Sequence, residues 1–174
     1  MKKLLHVFIL ILSALTLFEN KVEAQVQSTA FSKVSNGNDD AEEGVSANVG
    51  TMDLTSSDLE IMTDGTRTQL IGIRFTNLNI PKGAVIDSAF IQFTNVGDKN
   101  PVNGNAIIRG ELSPNSGTFT TTAFNISTRS RTMDSVLWAG STHASWSTSQ
   151  ANAKTNEQRT PDLKTIVQTI VNQS

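Results

Sequence analysis

A chain of 174 residues with a net charge of −2, 17% charged residues and no cysteine is long enough for one domain with an ordinary core. It has no disulfide framework, thiolate nucleophile or cysteine-held metal. Its 14 basic and 16 acidic side chains give no strongly positive surface, so no nucleic-acid partner is expected.

The chain opens with Lys2 and Lys3, an apolar run from Leu4 to Phe18, and small residues at Val22 and Ala24. This is the pattern of a secretory signal peptide with cleavage between Ala24 and Gln25. The run is shorter than the ~20 residues of a membrane-spanning helix; an uncleaved anchor is the alternative. The sequence thus predicts a signal peptide at 1–24, a lead-in at 25–38, one domain over 39–174, and a secreted or cell-surface mature protein outside the membrane. Cleavage also removes His6, leaving His143 as the single histidine.

Ser, Thr and Asn make up about a third of the residues after Ala24, a mixture that favours strands and turns. Short strand candidates are Asp39–Glu43 and Asp58–Met62. In Gln69–Asn77, Ile71, Ile73 and Phe75 alternate with Leu70, Gly72, Arg74 and Thr76, which predicts a strand with the first set facing the core. Pro81 and Gly83 mark the next corner. Val85–Val96 is a second long strand, with Ala89, Ile91 and Phe93 inward. Asn103-Gly104 is a hairpin-type signal, and Ala106–Leu112 alternates again. Thr118–Ala123 and Met133–Trp138 are further short candidates. Only Pro161–Asn172 reads as helix. Thr160 stands at the N-cap, Pro161 at the first position, and Leu163, Ile166, Val167, Ile170 and Val171 form one apolar stripe. Many strands with one docked helix predict an all-β, jelly-roll-like β-sandwich.

The blocks Asp39-Asp40-Ala41-Glu42-Glu43, Ser56-Ser57-Asp58-Leu59-Glu60, Gly72-Ile73-Arg74-Phe75, Ile80-Pro81-Lys82-Gly83-Ala84 and Ser88-Ala89-Phe90-Ile91-Gln92-Phe93 resemble, in this order, the start of the DNRLRE-type β-sandwich domains. That group is similar to a carbohydrate-binding module family that binds alginate, found in secreted bacterial polysaccharide lyases and other multidomain extracellular proteins. The resemblance spans about Asp39 to Val171. It implies a secreted, non-catalytic module that binds an acidic polysaccharide. Such domains continue after the helix into a Trp-Gly-Asn turn and further strands. None is present before Ser174, so the expected sandwich lacks its last strands and is either weakly stable on its own or in need of another chain.

Three groups of side chains could carry chemistry. Asp39, Asp40, Glu42 and Glu43, with Asp58 and Glu60 nearby, offer the oxygen ligands that Ca²⁺ requires. They also suit a solvated acidic edge strand, where the charges deter edge pairing. In an extended strand Asp39 and Glu43 point one way, Asp40 and Glu42 the other. Arg74, Gln92, Arg109 and Glu111 fall on three successive strands and would share a sheet face suited to an acidic polysaccharide, or form cross-strand ion pairs. Trp146 is the candidate sugar platform, whereas Trp138 reads as core. No Gly-x-Ser-x-Gly turn accompanies His143, and paired carboxylates alone do not single out a glycosidase. No enzyme is expected. The competing reading is a structural or adhesive spacer domain with no glycan site. Exposed Arg74 and Arg109 side by side would favour binding; both locked internally would favour the spacer.

Overall fold

The computed structural model describes residues 27–61, 63–96, 104–140, 152 and 154–173. Its regular elements are mostly strands in antiparallel sheets, with one short helix near the C-terminus. Strands β1 (Asp40–Gly44), β2 (Met52–Asp53), β3 (Thr63–Asp64) and β4 (Arg67–Ile73) form one sheet in the order β2-β1-β4-β3. Thr63 faces Thr68 and Asp64 faces Arg67, so Gly65-Thr66 is a two-residue hairpin loop. Gly65 has φ +57°, which such a turn favours. Strands β5 (Ala106–Ile108) and β6 (Val136–Trp138) form a second, two-stranded sheet. Helix α1 spans Lys164–Val171. Among the described residues no helix is long and apolar enough to cross a membrane.

Two packing centres hold these pieces. Ala41, Met52 and Phe119 are buried together, with Leu54 and Ile126 against them. Ala41 lies opposite Gly72, and a Cβ on Gly72 would come within 2.5 Å of the Phe119 ring. The ring therefore seats directly on the β4 backbone. In the second centre, Trp138 is 3% exposed and stacks on Phe93 with centroids 5.6 Å apart. Leu163 and Ile166 are buried as well. Gly110 leaves room for Ile166 and Ile170, whose side chains would come within 2.7 Å of a Cβ at that position.

The strand expectations are met at β1, shifted by one residue, at β4, which starts two residues earlier than expected, and in shortened form at β5 and β6. β4 ends at Ile73, and its packed side is that of Gly72 and Arg74. The sequence had assigned that side to solvent; Ile71 and Ile73 are only half-buried. Within residues 84–96, the stretch from Ala89 to Thr94 alternates between half-buried and exposed, as expected. These residues form no ladder beyond a single bridge between Gln92 and Arg159. The reason lies in their partner, the segment 158–163. Its Thr160 hydroxyl and Asp162 carboxylate, rather than backbone carbonyls, receive the N–H groups of Ile91 and Ala89. The same bonds delay the helix. Thr160 and Asp162 are turned toward residues 84–96, and α1 starts only at Lys164, behind Leu163 as N-cap. Residues 58–61 and 118–123 form no strand, and Met62 lies outside the described residues.

Candidate functional site

Strand β1 carries the acidic block and lies between β2 and β4, so its side chains alternate between two packed surroundings. On the Phe119 side, Asp39 Oδ1 accepts a hydrogen bond from Arg74 Nη1 at 2.5 Å. Arg74 Nε donates to the Ser116 carbonyl at 2.7 Å. Glu43 is 2% exposed, and its Oε2 accepts from the Ile126 and Ser127 backbone N–H groups at 2.7 and 2.8 Å. A carboxylate buried this deeply is tolerable because those N–H groups, themselves buried donors, satisfy it.

Glu42 turns the other way. It is 7% exposed, and its Oε1 accepts from Glu60 N at 3.0 Å. Gln69 Nε2 donates to the Glu60 carbonyl and steadies that segment. Burial, followed by the Glu60 side chain and the Glu60 and Asp53 charges, pushes the Glu42 carboxyl up to about 7 from the usual 4.5. Asp53, its partner across β2, behaves oppositely. Hydrogen bonds from the backbone and hydroxyl of Thr55 and from Ser56 N hold its carboxyl below the usual value. A cavity of about 130 Å³ beside them is lined by Glu42, Asn48, Asp53, Asp64, Arg67 and Gln69.

The six acids chosen as calcium ligands are therefore divided. Asp39 and Glu43 lie on one side, Glu42 and Glu60 on the other. Asp58 Oδ1 accepts from its neighbour Ser57, and Asp40 stands at the start of β1 opposite Ile73. Among the described residues no group of three or more His, Asp or Glu side chains is disposed to hold a metal ion.

The four residues expected on one sheet face are also separated, because the sheet containing β4 includes neither residues 84–96 nor β5. Arg74 is held as above. Gln92 Nε2 donates to the Thr155 and Phe93 carbonyls. Glu111 pairs with Arg129 at 2.8 Å. Arg109 donates to the Thr132 carbonyl at 3.2 Å and is otherwise exposed. Trp146 and His143 lie outside the described residues.

Arg129 is the residue that sequence reasoning missed. Its Nε donates to the Asn125 carbonyl, Nη1 to Glu111 and the Gly117 carbonyl, and Nη2 to the Thr118 carbonyl and the Asn125 side chain. Its guanidinium carbon lies 4.4 Å from the Phe119 ring centroid. Arg129 and Arg74 thus grip residues 116–118 from two directions and fix Phe119 into the core. Nothing in the local pattern Ser127-Thr128-Arg129-Ser130 announces this. Apart from Asn125, four positions earlier, the partners are Glu111 and the carbonyls of Gly117 and Thr118.

Compared with known proteins, the chain matches no family model, no curated protein and no solved structure. The resemblance to DNRLRE-type domains rests on the residue blocks alone. Chemically, the charged side chains around β1 act as fasteners. They satisfy backbone groups and one another.

Proposed function

We propose that the chain is a non-catalytic structural or adhesive β-sandwich module of an exported protein, one that spaces or anchors other parts of a larger surface assembly. The observation that carries this reading is the internal use of the charges that would otherwise bind a ligand. Arg74 is closed on Asp39 and Ser116, Glu111 on Arg129, and Glu43 on two backbone N–H groups. A glycan carboxylate calls for a free bidentate guanidinium, and these contacts leave none at Arg74 or Arg129. A cavity of about 350 Å³ beside α1, a shallow depression, is lined by Ile86, Asp134, Lys164, Thr165, Gln168 and Thr169. Its only ionisable side chains are Asp134 and Lys164.

One observation favours the alternative, a module that binds acidic polysaccharide. Arg109 is exposed and makes a single hydrogen bond. Electrophoresis of the folded protein through gels containing alginate-like and neutral polysaccharides distinguishes the two readings. The structural reading expects equal mobility in all gels. Retardation by the acidic polymer that Arg109→Ala abolishes would replace it with the binding reading.

A further inference from the structure

Residues 88–94 have two backbone edges of unequal fate. On one, Ala89 N donates to Asp162 Oδ1, Ile91 N to Thr160 Oγ1 and Phe93 N to the Gln158 carbonyl. The Ala89 and Ile91 carbonyls accept from Leu163 N and Thr160 N. On the other edge lie the N–H and C=O groups of Ser88, Phe90, Gln92 and Thr94. Among the described residues none of these backbone groups takes a hydrogen bond, and all four residues are exposed. An alternating row of open donors and acceptors is a template for one kind of partner, another extended strand.

The devices that natural edges use against pairing are missing here. From Ser88 to Gly97 the sequence holds no charge and no proline, and Phe90, Ile91, Phe93 and Thr94 are strong strand formers. We propose that this edge pairs antiparallel with the same edge of a second copy of the chain, about a twofold axis through Ile91. The choice of occupant follows from charge and register. With Ile91 on the axis, Ser88 faces Thr94 of the second copy, Phe90 faces Gln92, and Asp87 faces Asn95. No like charges oppose. All four open N–H groups of each copy find a carbonyl, which is the self-complementarity that a twofold interface needs. The two Phe90 rings, 45% exposed in one copy, become diagonal neighbours across the axis. Arg159, whose guanidinium carbon is 4.6 Å from the Phe90 ring centroid, closes the outer side. This interface is independent of the structural reading given above and does not require it.

Sedimentation of the full chain over a wide concentration range tests it. The expected result is a reversible monomer–dimer equilibrium. Ser88→Lys combined with Thr94→Lys sets lysine against lysine and weakens the dimer at least about tenfold. Ser88→Lys combined with Thr94→Glu sets lysine against glutamate and brings the dissociation constant back within about threefold of the original. Both sites are exposed, so the dilute variants keep the circular dichroism spectrum of the parent. Hydrogen exchange of the unaltered chain gives a reading without any variant, with the amides of Phe90 and Gln92 protected at high concentration and released on dilution. A monomer at every concentration overturns the proposal. So does a dimer indifferent to the lysine pair, a lysine–glutamate pair that fails to restore it, or a dimer that leaves those two amides unprotected.

Discussion

Arg129 uses all five N–H donors of its guanidinium within the protein, and Glu43 and Thr132 are almost wholly enclosed. Side chains of this kind behave as covalent-like clips, because each left alone would be a costly buried polar group. Glu42 is the exception among them, a buried carboxyl beside two other acids. Its raised pKa carries a definite sign. The folded state holds the Glu42 proton more tightly than the unfolded chain, so this contribution is fully present below pH 4.5, is lost as pH rises toward about 7, and stays lost above that. Asp53 contributes the reverse at the acid end, with stabilisation that disappears as pH falls below the usual 3.8. Denaturant unfolding followed against pH is expected to show stability falling between pH 4.5 and 7. Glu42→Gln is expected to flatten that slope and to raise stability at pH 8 by on the order of 2 kcal/mol. An unchanged slope in the variant would place the titration elsewhere.

Among the elements, α1 shows how a short helix is secured when its first turn lacks a side-chain cap. Gln168 stands in for a strand, its Oε1 accepting from Ile86 N and its Nε2 donating to the Ala84 carbonyl. Thr169 donates to Asp134 from the other flank, and Gly110 gives Ile166 and Ile170 room to approach the backbone. Gly110→Ala forces a Cβ into both isoleucines. The expected loss is about 1–3 kcal/mol in chemical denaturation, with α1 undocked first in hydrogen exchange. The apolar stripe from Leu163 to Val171 was visible in the sequence because its 3.6-residue period is local. The start of the helix was not, since Thr160 has the composition of a cap and instead serves Ile91, while Asp162 Oδ1 is shared between Ala89 N and Lys164 N. The two faces of β4 were misjudged for a related reason. Period-two alternation identifies which residues share a face, but Gly72 became the buried one only because Phe119, 47 positions further along, docks on it.

At the scale of the molecule, many backbone groups of the described residues outside the sheets and α1 are satisfied by polar side chains. Glu42 and Glu43, two of the six acids expected to bind calcium, serve this purpose. Thermal unfolding is therefore expected to move by less than about 1 °C between excess calcium and a chelator, because a ligand that does not bind the folded state shifts nothing. A clear calcium-dependent rise would instead mean that a metal site forms. Structural modules tolerate such extensive internal pairing, whereas a binding surface must leave its polar groups open until a ligand arrives.

The sequence by itself determined the richness in strands, the places of β1, β4, β5 and β6, the burial of Trp138 and the apolar stripe of α1. Each is written in neighbouring residues through composition or a short period. Only the tertiary structure decided what the charges do. Asp39 meets Arg74 across 35 positions and Glu43 meets Ile126 across 83. Such pairings depend on where distant loops return, and a carboxylate has the same local signature whether it meets a cation, a backbone N–H or another acid.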